Sequence, residues 1–158
     1  MRFAHIVPSG ASSPVLAVVD GDEAIAVPDL VQDGPADLQS LIESGEEGLI
    51  RMRRALTQPP AGVPRHPLAD VTFASVSNRP PLILAIGLNY SAHSSELGLK
   101  TDAAPTVFSL WPNSLTGHEQ TTSWPRSLSE SVDYEAELGV IIGAPARDVS
   151  PEDALDHV

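Results

Sequence analysis

The run Pro59-Pro60-Ala61-Gly62-Val63-Pro64 admits neither a helix nor a central strand. Each proline removes a backbone donor and fixes φ. A chain that carries such a run folds on either side of it and treats it as a linker. The expectation is a small β-rich N-terminal domain over residues 1–62 and a second unit over residues 70–158. Fifteen prolines in 158 residues extend the constraint to the whole chain. Elements must be short and loops many, and the fold class expected is α+β.

In the first part, residues 3–7 read as a short strand. Residues 15–19 and 24–27 flank Asp20-Gly21-Asp22-Glu23, a turn between two apolar runs and hence a hairpin. Residues 37–56 read as helical, with Leu38, Leu41 and Ile42 on one face and Leu49, Met52 and Leu56 on a second; Gly45 divides them into two helices. In the second part, residues 82–87 form an apolar strand. Residues 89–98 follow as one or two helical turns closed by Gly98, and residues 106–109 as another strand. At the end, Ser150 is an N-cap, Pro151 takes the first helical position, and Glu152 and Asp153 sit on the positive end of the dipole. Helices average about 11–12 residues. One begun so well and stopping at Val158 without a C-cap reads as a truncated chain, with a frayed but genuine C-terminus as the alternative.

Charge and composition exclude several classes. With 21 acidic against 9 basic residues the net charge is −12, a poor match to nucleic acid or an anionic membrane surface. There is no cysteine, so no disulfide, thiolate zinc site or thiol nucleophile. No segment approaches the ~18–20 apolar residues of a membrane span, and the first residues lack a signal-peptide core. The default expectation is a soluble cytoplasmic protein.

Two motifs carry chemistry. Val132-Asp133-Tyr134-Glu135-Ala136-Glu137-Leu138-Gly139-Val140-Ile141-Ile142 reads as a strand rich in aromatic and β-branched residues. On a strand, Glu135 and Glu137 share a face, with Asp133 behind them, while Ala136, Leu138, Val140 and Ile142 line the other, core-like face. Adjacent carboxylates repel unless a positive charge lies between them, and a hard divalent cation suits oxygen ligands. The competing reading is an ordinary acidic solvent face. The second motif is His93-x-x-Glu96 just beyond an apolar strand. Three apart on a helical turn, Glu96 can hold one imidazole nitrogen and leave the other to take a proton; a surface pair is the alternative. His5, His66, His118 and His157 read as structural or surface residues. Ser13 and Ser95 lack a nucleophile-elbow context, and no glycine-rich phosphate loop is present.

These residues together resemble the fumarylacetoacetate hydrolase family. The matching stretches run in order: Ile86-Gly87-Leu88-Asn89-Tyr90, His93-x-x-Glu96-Leu97-Gly98, Pro105-Thr106-Val107-Phe108, Asn113-Ser114, Val132 to Leu138, and Ala154-Leu155-Asp156-His157-Val158. The resemblance implies a mixed β-sandwich roll, incomplete here, that usually dimerises. It implies Mg²⁺, with Mn²⁺ or Ca²⁺ as alternatives, held by Glu135, Glu137 and an aspartate further on. His93 and Glu96 correspond to a catalytic dyad, and Tyr90, Asn113 and Ser114 to substrate contacts. Implied substrates are 2-oxo acids, often 1,3-diketo acids of the acylpyruvate type. Implied reactions are C–C hydrolysis first, with water activated by the dyad and the enolate stabilised by the metal, then isomerisation or decarboxylation of the kind found in aromatic catabolism.

Two departures stand out. Where many members carry a lysine two residues after the phenylalanine, this chain has Leu110 and then Trp111, and Lys100 lies on a different element. The third metal-ligating aspartate of the family falls beyond Val158; Asp133, Asp148 and Asp156 are poor substitutes. A non-catalytic fragment therefore stands as a further alternative to the enzyme.

Overall fold

The structure, a computed structural model, describes residues 1–90, 98 and 104–158. It opens with three strands, β1 (Arg2–Val7), β2 (Val15–Asp20) and β3 (Glu23–Ala26), paired antiparallel in sequence order. The expected hairpin forms with Asp20 opposite Glu23, leaving two residues in the turn. Gly21 takes φ +61° there, a conformation that costs glycine nothing. Three helices follow: a single turn α1 (Val27–Leu30), then α2 (Leu38–Glu43) and α3 (Gly45–Thr57). Gly45, at φ +60°, separates the last two, as its position in the pattern predicts.

Period-two alternation sends the strands' side chains to two faces. Leu16, Val18 and Ile25 pack with Val27, Leu30, Leu41 and Met52 beneath the helices. Ile6, Ala17 and Ala24 face the other way, against Leu68, Val71 and Phe73. That second layer exists because two short strands beyond the Pro-rich run join the same sheet. β4 (His66–Pro67) pairs with β3 and β5 (Thr72–Phe73) with β1, for a strand order β4-β3-β2-β1-β5. Sheet structure thus continues past the linker as far as Phe73.

The second part contributes β6 (Ile83–Gly87) and β7 (Thr106–Leu110), an antiparallel pair with Gly87 opposite Thr106. Residues 91–97, which hold the body of the helix expected over 89–98 and the His93–Glu96 pair, lie outside the described residues.

Two expectations fail. Residues 132–142, read as a strand with a core face, pair with no described strand, and Leu138 (81% exposed) and Val140 (57% exposed) face solvent. Strand propensity specifies a pleated conformation only where a neighbouring backbone accepts its ladder, and none of the described strands runs alongside. The terminal helix is short: Ser150 Oγ accepts from the Asp153 N–H at 3.3 Å, as an N-cap should, but only a 3₁₀ turn over Ala154–His157 follows. Leu155 is 80% exposed, so no packing extends that turn into an α-helix. All described strand pairs are antiparallel, so the α+β class holds at that level.

Candidate functional site

The acidic pair sits in an exposed segment held at defined points. The Leu138 N–H donates to Tyr90 Oη at 2.9 Å. Five residues further on, the Gly143 and Ala144 N–H groups both donate to the carbonyl of His157, at 2.7 and 3.2 Å. Glu135 and Glu137 are exposed, and no ion pair engages either one among the described residues. Two uncommitted carboxylates two positions apart suit a hard divalent cation in ligand type. Among the described residues, however, no third Asp, Glu or His is grouped with them. Among the described residues, Asp133, Asp148 and Asp156 do not group with the pair.

Asn113 and Ser114 lie on a 3₁₀ turn, Pro112–Ser114, two residues beyond the end of β7. Ser114 closes that turn itself: its N–H and hydroxyl both donate to the Trp111 carbonyl, at 2.9 and 2.8 Å. Only the hydroxyl's acceptor lone pairs remain for a substrate. Leu110, at the position where a lysine was expected from the resemblance, ends β7, and Trp111 beside it is 78% exposed.

A cleft of about 460 Å³ lies elsewhere, between β5 and the turn at 117–120. Val71 and Phe73 form part of its floor, and His118 and Glu119 part of its wall. His118 meets Phe73 edge-on with ring centroids 5.9 Å apart. Gly117 presses against the Phe73 carbonyl so closely that no β-carbon would fit. None of the residues singled out for catalysis or metal binding lines this cleft.

Sequence reasoning missed a half-buried polar contact between α2 and Arg79. Asp37 caps α2, accepting from the Ser40 N–H at 2.8 Å and the Ser40 hydroxyl at 2.6 Å. Arg79, 42 residues later, reaches its other oxygen with Nε at 3.0 Å and a terminal nitrogen at 2.8 Å. The Ser40 bonds foremost, then Arg79, outweigh burial and pull the Asp37 carboxyl from 3.8 down to about 2. His5 beside it is structural, as read from the sequence. The Leu38 N–H donates to its Nε2 (3.3 Å), so Nδ1 carries the proton and donates to the Ser75 carbonyl (3.1 Å). An Asp three residues ahead of a serine at a helix start was the available signal for the cap; nothing local announces Arg79.

Exposed carboxylates that follow an antiparallel hairpin in an α+β fold do not by themselves define a class of protein. The family is specific. Residues 82–158 match the family model described as fumarylacetoacetate (FAA) hydrolase C-terminal, and over that stretch the chain belongs to the fumarylacetoacetate hydrolase family. It is 33% identical over 161 residues to a candidate hydrolase of Burkholderia multivorans, covering all of this chain and 52% of that one. It is 45% identical over 87 residues to the homoprotocatechuate catabolism bifunctional isomerase/decarboxylase of Escherichia coli, covering 55% of this chain and 20% of that one. The solved structure of a candidate HpcE protein from Mycobacterium smegmatis superposes with a TM-score of 0.73 at 29% identity, covering 99% of this chain and 51% of that one. The chain thus spans about half the length, or less, of the relatives it matches. Among the described residues no helix is long and apolar enough to cross a membrane.

Proposed function

We propose that this chain carries the metal-binding and proton-transfer residues of a divalent-metal-dependent hydrolase. That hydrolase cleaves a C–C bond in an acylpyruvate-like 2-oxo acid. The observation that supports this most directly is that Glu135 and Glu137 lie exposed inside the family-matched stretch, with no ion pair to either among the described residues. In this reading Glu135 and Glu137 supply two oxygen ligands to Mg²⁺ or a related hard cation. Bound there, the cation would supply Lewis acidity toward the substrate's carboxylate and 2-oxo oxygens. His93, its imidazole oriented by Glu96, takes a proton from a water that adds to the remote carbonyl. The C–C bond then breaks, its electrons pass to the carbon beside the 2-oxo group, and that carbon is later reprotonated. Asn113 donates from its amide to orient the substrate, and Ser114 and Tyr90 belong to the same proposed set of substrate contacts. The mixed β-roll, the homodimer and a cytoplasmic location belong to the same reading.

Titration of the 158-residue chain with Mn²⁺, followed calorimetrically, tests the metal site. Binding in the micromolar to low millimolar range that disappears in Glu135→Ala supports the site. No heat at millimolar Mn²⁺ sinks it. For the dyad, His93→Ala should lower acylpyruvate turnover by about 100-fold or more while Mn²⁺ affinity holds, because a general base contributes on the order of 10²–10⁴-fold. Collapse of metal binding in that variant would make His93 a ligand instead.

A second reading, an isomerase or decarboxylase acting on a 2-oxo or 2-hydroxy-dienoate diacid, is favoured by the 45% identity to the E. coli enzyme. Product analysis separates the two: release of CO₂ or a keto–enol shift without cleavage to two acids supports the second. The lack of a third grouped carboxylate among the described residues favours a non-catalytic polypeptide, and the Mn²⁺ titration decides against it or for it.

A further inference from the structure

Leu138 follows Glu137 directly, and its N–H donates to Tyr90 Oη at 2.9 Å across 48 residues of sequence. Among the described residues it is the one hydrogen bond made by residues 132–142. The peptide unit that carries the Leu138 N–H also carries the Glu137 carbonyl, and that unit is planar and rigid. Holding the N–H therefore holds the backbone on the C-terminal side of Glu137. The chain is gripped again at Gly143 and Ala144 by the His157 carbonyl. Among the described residues, the exposed acidic segment without the tyrosine would be restrained only from that far side. Tyr90 itself stands three residues before His93, at the exit of β6.

We propose that Tyr90 is a positioning residue for the glutamate pair: its hydroxyl clamps the backbone beside Glu137 and sets where Glu135 and Glu137 stand relative to the end of β6. This rests on the metal reading given above. Partners that orient metal ligands without touching the metal typically contribute about 10–100-fold in affinity. An exposed clamp belongs at the lower end of that range.

The test compares the wild-type chain, Glu135→Ala and Tyr90→Phe by Mn²⁺ calorimetry, by amide exchange at Leu138 and by thermal unfolding. The expected result is metal binding in wild type, none in Glu135→Ala, and affinity about 10-fold weaker in Tyr90→Phe. Exchange at Leu138 should be faster in Tyr90→Phe, with an unfolding midpoint within about one degree of wild type. If wild type binds, Glu135→Ala does not, and Tyr90→Phe binds as wild type, the clamp is overturned while the metal site stands. If wild type binds no Mn²⁺, the metal site falls and the positioning role with it. Weaker binding accompanied by unchanged Leu138 exchange, or by a large drop in the midpoint, overturns the clamp, because the effect then does not pass through this bond.

Discussion

Residues 1–73 and residues 82–158 are built from similar apolar runs, yet they bury them to opposite extents. All the hydrophobic residues buried among the described positions lie between Ile6 and Met52. There the sheet has helices on one face and residues 68–73 on the other, so each strand's two faces both find a cover. In the second part, Trp111, Tyr134 (92% exposed), Leu138 and Ile142 all face solvent. Its β6–β7 pair has no covering layer among the described elements. A two-stranded hairpin alone is marginal in water. The comparison teaches that hydropathy marks which residues can form a core, while burial depends on whether a second surface is there to meet them. The first part supplies its own second surface. The second part presents the carboxylates and apolar strands of a family unit whose matched relatives are about twice as long or longer.

The largest effect expected from this contrast is in the core. Ile25→Ala, at a fully buried site, should cost about 3 kcal/mol in urea unfolding. Leu138→Ala, in the exposed segment, should cost no more than about 0.5 kcal/mol. Equal losses would break the comparison and show that the second part folds as firmly as the first.

The next effect concerns the contact of Asp37 with Arg79, just beyond the first part. Asp37 is nearly buried and its carboxyl is held at about 2, against 3.8 otherwise. A depressed pKa contributes stability that is fully present above the unfolded value and is lost as pH falls through the folded one. Unfolding free energy should therefore decline by about 2 kcal/mol as pH drops from near 4 to below 2, and Asp37→Asn should remove that part of the slope. An unchanged slope in the variant would assign the acid sensitivity to other carboxylates.

The smallest effect is at Arg65, which reaches Asp20 at 3.1 Å and Glu23 at 3.2 Å across the hairpin. The two carboxylates raise its already high pKa, but all three side chains are open to water. Arg65→Ala should produce the smallest loss of the series, close to none in urea unfolding. A larger loss would mean that β4 depends on this contact to stay on the sheet edge.

Much of the first part was legible from local signals. Asp20-Gly21-Asp22-Glu23 announced a hairpin because only a glycine takes the left-handed first position of a two-residue turn without strain. Gly45 announced a helix break for the same reason. The helical spacing of Leu38, Leu41 and Ile42, and then of Leu49, Met52 and Leu56, announced two helices each with an apolar face. The acidic segment was legible as chemistry but not as conformation. Alternation in 132–142 states which side chains would share a face if a partner strand were present, and says nothing about whether one is.

By itself, the sequence determined the short elements, the hairpin, the two helices and the carboxylate pair, along with the ordered motifs that place residues 82–158 in their family. These depend on φ preferences, spacing and residue chemistry, which act within a few residues. Only the tertiary structure decided that β4 and β5 cross the Pro-rich run to join the first sheet and that Arg79 completes the charge balance of Asp37. It also decided that Tyr90 grips the backbone beside Glu137. Each of these joins residues 40 or more positions apart, where loop-closure entropy and the packing of whole layers set the outcome and no local pattern records it.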